Sequence, residues 1–195
     1  PPDDANPSLP HRHRLPATAR LRLYPGVDAA LERGASPWEE SLDGPWRFRL
    51  LAHRALEPEG WAGPGFDDAA WDDLDAPGHW ELAGEVGIDG GRYGDVVRPH
   101  YTTWMYPWPC EPPHTPSDSA IGLYRRSWRR PASWDGGRVL VRFEGVDGML
   151  ELWCDGRYVG MSKGSRLPAE FDLTDHLAAE SDAAAGPSHV LALRV

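Results

Sequence analysis

At 195 residues and a formal charge of −10, the chain has room for one sizeable domain and carries a field that disfavours nucleic acid and anionic membranes as partners. Ten Trp beside 21 Gly and 20 Pro exclude a protein of long helices, because so many breakers leave space for short strands, tight turns and flat aromatic side chains between sheets. The apolar runs fall well short of the roughly 20 residues of a membrane span, and Pro1 to Leu15 lacks the basic-then-apolar pattern of a signal peptide.

Residues 1–37 are rich in Pro and Arg with weak periodicity, and they read as an extended arm lying over something else; a single domain follows over 38–195. Ser41-Leu42-Asp43-Gly44-Pro45-Trp46 is a turn running into the alternation Trp46, Phe48, Leu50, the period of a half-buried strand. Phe66 to Trp80 is a short acidic segment ending in Ala76-Pro77-Gly78-His79-Trp80. Residues 81–120 are the least regular, with glycines from Gly84 to Gly94 and a Pro-rich run from Pro99 to Pro116. A loop of that length is usually functional or clamped by a neighbour, so a contact surface is expected there.

From Gly122 onward the strands become clear: Leu123 to Trp128, Val139 to Phe143, Met149 to Cys154 and Arg157 to Met161. Asp155-Gly156 joins the last two as a type I′ hairpin turn, whose central positions both need positive φ. A helical turn fits Leu173 to Leu177, and Ala178 to Ala185 reads as a surface loop. Ser188 to Val195 is a strand that runs to the last residue, the pattern expected of a domain cut from a longer protein. The whole predicts an all-β fold, an antiparallel sandwich or jelly roll with long irregular loops.

Little in the chain reads as catalytic chemistry. Hydrolysis by paired carboxylates needs two acids held on either side of a bond, and among 30 acidic residues two that could meet prove nothing. Glu151 falls on a strand of alternating exposure, Asp155 in a turn, and Glu170 and Asp172 in a loop after Pro168, so each reads as solvated or turn-forming. His79, His100, His114, His176 and His189 show no i, i+4 pair, and His11 and His13 fall in the arm. Cys110 and Cys154 have neither ligand spacing nor the number for a disulfide framework. The expectation is no catalytic residue, metal site or cofactor held by this chain, two buried thiols, and a reducing, cytoplasmic setting. Trp104, Tyr106 and Trp108 are candidates to stack on the apolar faces of sugar rings, and equally candidates for packing.

The order of motifs carries a resemblance. Leu42-x-Gly44-x-Trp46-x-Phe48 comes first, then Pro77-Gly78-His79-Trp80, Tyr101-Thr102 with Tyr106-Pro107, and Gly122-x-Tyr124-Arg125. Leu152-Trp153-Cys154-Asp155-Gly156-Arg157-Tyr158-Val159-Gly160 and Ser165-Arg166-Leu167-Pro168-Ala169-Glu170-Phe171-Asp172 are the most specific runs. From Asn6 to Val195 the chain resembles the N-terminal sugar-binding domain of family 2 glycoside hydrolases of the long bacterial β-galactosidase type. The resemblance implies a galactose-binding-domain-like jelly roll against a downstream barrel that holds both catalytic carboxylates. It also implies retaining cleavage of β-galactosides, homo-oligomers, and Mg2+ and Na+ in the full enzyme. Rim candidates here are Thr103, Trp104, Lys163 and Gly164. Thr103 stands where the family has a substrate-contacting Asn, and Gly164 where an Asp helps hold the sugar and sodium, so the sodium site loses a ligand. Lys163 beside it would suit an anionic or differently substituted sugar. The alternatives are a stand-alone carbohydrate-binding module and the equivalent domain of a β-glucuronidase-like or β-mannosidase-like enzyme.

Overall fold

A computed structural model describes residues 3, 5–84, 91–99, 119–134, 136–177 and 188–195. Nine strands carry the fold: β1 (His11–Arg12), β2 (Gly44–Leu51), β3 (Asp72–Ala76), β4 (Ile121–Arg129), β5 (Leu140–Phe143), β6 (Leu150–Cys154), β7 (Arg157–Ser162), β8 (Ala169–Asp172) and β9 (Ser188–Arg194). Seven form one sheet in the order β1-β7-β6-β9-β4-β2-β3, and β5 pairs with β8 in a second. Every pairing is antiparallel, so the all-β sandwich expected from the sequence is the observed class. The Asp155-Gly156 turn has φ of 50° and 78°, as a type I′ hairpin requires.

Both faces of the large sheet are buried, and alternation along each strand decides which face a residue serves. On the inner face Trp46, Trp128, Leu150, Leu152, Leu191 and Leu193 pack against Val141 and Phe171 of the small sheet. On the outer face Leu51, Leu123 and Ala192 pack under Trp61, Ala62 and Trp71, which belong to the connection between β2 and β3. Three arginines pin that connection down. Arg47 donates to the Asp68 and Ala69 carbonyls, at 2.9 and 2.8 Å, and pairs with Asp73. Arg125, 3% exposed, donates to the Trp61 and Gly63 carbonyls and pairs with Asp68 at 2.7 Å. Arg194 binds Glu57 at 2.6 Å and also Glu151.

Three expectations need correction. Glu151 is not a solvated acid: it is 6% exposed, on the outer face under the covering connection, with Arg194 as its partner. Glu170 and Asp172 lie in β8 rather than a loop, where Ala169 and Phe171 point to the core and the two acids outward. The acidic segment, to which the sequence assigned no element, contains a strand, β3, with β2 as its one neighbour among the described residues. Its aspartates line the edge of the described sheet, where charge discourages further pairing, and so acidic a composition carries no strand signal. The arm is not uniformly extended either: Val27–Glu32 forms a short helix, α1, that buries none of its residues.

Candidate functional site

The connection from β7 to β8 carries Lys163 and Gly164, two of the four residues singled out as rim candidates. The other two, Thr103 and Trp104, lie outside the described residues, as do Cys110 and the 100–118 run. Lys163 works toward the arm. Its Nζ donates to the carbonyls of Asp3 (2.5 Å) and Asn6 (2.8 Å), and its backbone N–H donates to Pro10 at 2.9 Å. The neighbouring contacts have the same direction. His11 and Arg12 pair with Ser162 and Met161, Arg14 Nη1 donates to Ser162 Oγ at 2.9 Å, and Leu15 N–H donates to Glu170 at 2.9 Å. The start of the arm is thus an added edge strand of the large sheet. Two glycines make room for it: a Cβ on Gly160 would lie 2.5 Å from the Arg12 carbonyl, and one on Gly164 would lie 3.2 Å from Arg14 Nη1.

The corner around Gly164 therefore has a guanidinium beside the Cα and an ammonium on the adjacent residue. Gly164 offers no carboxylate to balance a bound cation against that positive charge. Behind it a cavity of about 10 Å³, lined by Phe143, Val146, Leu150, Ser162, Gly164 and Leu167, has space for one water and not for a sugar ring. A wider open depression of about 590 Å³ lies over the outer face, between Glu57, Trp61, Trp153, Gly156 and Arg194. Two of its charged groups are paired: Glu57 accepts from Arg194 and also from Trp61 Nε1, both at 2.6 Å. At its floor Trp153 stacks edge-on with Trp61 and Tyr158 and lies under the Arg194 guanidinium. Burial, with the charges of Glu151 and Asp3, pushes the Tyr158 phenol up to about 12.

A separate constellation sits where the β6–β7 hairpin meets the start of β9. Cys154, Asp155 and His189 bring a thiol, a carboxylate and a ring nitrogen within 4.8 Å of one another. No spacing rule could have found it, because the turn of one hairpin delivers two members and a strand 34 residues later delivers the third. The sequence signal was the hairpin itself: a positive-φ Asp at its turn is held over β9, with Asp155 Oδ1 accepting from the Val190 N–H at 2.7 Å.

A model of the family described as glycosyl hydrolases family 2, sugar binding domain, matches residues 39–186. The chain belongs to this family. Among curated relatives, a β-galactosidase of Psychromonas ingrahamii is 38% identical over 177 residues and one of Aeromonas hydrophila is 41% identical over 166. These alignments cover 91% and 85% of this chain but 16% of each relative, so the sugar-binding domain spans about a sixth of the curated proteins it matches. Among solved structures, a β-glucuronidase of Faecalibacterium prausnitzii superposes with a TM-score of 0.55 at 22% identity, over 80% of this chain and 20% of that one. At that identity the likeness speaks for the fold alone. Among the described residues no helix is long and apolar enough to cross a membrane.

Proposed function

We propose that this family 2 sugar-binding domain serves a retaining β-galactosidase, in which it shapes the rim of an active site built by a downstream barrel. The observation that carries the reading is the 38–41% identity to β-galactosidases across almost the whole domain. Thr103 and Trp104 are the residues proposed to approach the sugar. Lys163 holds the arm against the β7–β8 connection and Gly164 leaves room for it, and the arm together with the 81–120 loops contacts the rest of a cytoplasmic, homo-oligomeric enzyme. Magnesium belongs to the parent enzyme in this reading. Sodium does not fit the residues at Gly164, where Arg14 and Lys163 supply positive charge and no carboxylate replaces the missing one.

The test is hydrolysis of chromogenic β-galactoside, β-glucuronide and β-mannoside by the full-length parent, each with and without sodium. Cleavage of the galactoside at a rate indifferent to sodium is expected. Activity confined to the glucuronide or mannoside would reassign the domain to another sugar. Marked sodium activation would mean that the cationic corner does not replace the ion.

A further inference from the structure

Arg14, where the arm meets the β7–β8 connection, is a cation without a counter-charge. Among the described residues its guanidinium makes one hydrogen bond, from Nη1 to the Ser162 hydroxyl at 2.9 Å, and no ion pair. The carboxylates carried by the segments around it are each held by another arginine: Asp3 by Arg12, Glu170 by Arg142 and Asp147 by Arg166. The residue is half-buried, so its charge has lost part of its hydration and gained no carboxylate in exchange. A cation in that position favours any anion that can reach it.

Gly164 leaves the approach to it open. A side chain at that position would leave the backbone between two donors, its Cβ 3.2 Å from Arg14 Nη1 and 3.6 Å from Ser162 Oγ. Nη1 carries two N–H bonds and uses one, so the second is available to an anion seated there. Ser162 Oγ, in a residue 5% exposed, accepts from Arg14 and, at 3.4 Å, from the Gly164 N–H. Its own proton has no acceptor among the described residues and is left to donate. The 10 Å³ cavity behind Gly164 has room for one oxygen, and Leu167, which borders it, is 63% exposed, so the remainder of a ligand would lie toward solvent. We propose that Arg14 and Ser162, beside Gly164, bind one oxyanion group, a carboxylate or a phosphate. The anion recognition that the sequence suggested for Lys163 thus falls to Arg14, because the lysine ammonium is engaged by the Asp3 and Asn6 carbonyls. The site does not depend on which glycoside the parent enzyme cleaves.

The probes are inorganic phosphate and glucuronate, with galactose as the uncharged control, titrated into the 195-residue chain at constant ionic strength so that screening does not change. Binding is read from the Arg14 Nε–H resonance in a heteronuclear NMR spectrum, assigned by its disappearance in Arg14→Gln. Either anion should shift it saturably and galactose should leave it in place. The tighter of the two anions names the source, free phosphate or a sugar acid. The bound anion should also raise the urea midpoint, and Arg14→Gln should lose that gain. Because Arg14→Gln breaks the Ser162 bond as well, Gly164→Asp is the independent variant. It supplies the carboxylate from the chain itself, so phosphate binding should weaken at least about tenfold, the factor expected for one lost charge-assisted bond. No saturable shift with either anion, a galactose response equal to that of glucuronate, or undiminished phosphate binding in Gly164→Asp would each overturn the proposal.

Discussion

Arg194 shows how a charge is kept inside this protein. It is 5% exposed on the outer face of β9, with Glu151 and Glu57 as partners and the Trp153 ring beneath it. Burial alone pushes a guanidinium toward neutrality, and here the two carboxylates more than offset it, so its pKa is raised rather than lowered. Removing the cation would leave Glu151 as an uncompensated buried charge, a change that costs about 3–5 kcal/mol. Arg194→Met should therefore lower the urea midpoint sharply, and adding Glu151→Gln should recover part of the loss. A double variant no more stable than Arg194→Met would show that the stranded carboxylate is not the liability. Lys163 makes a different kind of contact, joining the arm to the sheet by two carbonyls. Charge-assisted bonds of this kind contribute about 1.5–3 kcal/mol when well formed. Lys163→Met should speed tryptic cleavage at Arg12 and Arg14 by about tenfold while the circular dichroism is unchanged. Equal rates would mean that β1 is held without the lysine.

At the scale of elements, the β1–β7 pairing depends on Gly160, where an added methyl would meet both the Arg12 carbonyl and, at 2.8 Å, the Phe171 ring. Gly160→Ala is expected to destabilise the chain by about 1–3 kcal/mol, as overpacking does. In a chain lacking residues 1–14 the same substitution should cost measurably less, since the backbone half of the clash is gone. An undiminished cost would place the whole effect in the Phe171 packing. Strands with alternating apolar residues and a turn of obligatory chemistry were legible in the sequence, and β4, β6, β7 and the Asp155-Gly156 hairpin lie where the pattern put them. β3 and β8 were not, because an acidic edge strand and a four-residue strand offer too little periodicity to distinguish from loop. The pairing of Lys163 with the arm was hidden for another reason: its partners are backbone carbonyls about 160 residues away, and carbonyls carry no residue code. The arginines of the outer face were legible only as alternating positions, and what made them core residues was a lid whose carbonyls no pattern reveals.

For the whole molecule, acid should take the sandwich apart in two separable steps. His176 has its pKa lowered, first by burial and then by the charge of Arg157, against the opposing influence of Asp175, Asp172 and Asp155. A histidine depressed in the folded state contributes its full stability above the ordinary value of 6.5, and that contribution is lost as pH falls through the lower folded value. Asp172 titrates in a lower window. Burial raises its pKa, but bonds from the Thr174 hydroxyl and N–H and from Arg138 outweigh that and hold it below the ordinary 3.8. Its contribution is present above 3.8 and disappears only in stronger acid. The urea midpoint of the wild-type chain should thus decline below 6.5 and decline again in stronger acid. His176→Gln should abolish the first decline and keep the second, because glutamine cannot take up the proton, whereas Asp172→Asn should keep the first and lessen the second, which Asp3 and Glu39, also held low by their arginine partners, share. If the first decline survives His176→Gln, another group in the sandwich takes up that proton, and the turn after β8 is not the first part of the fold that acid loosens.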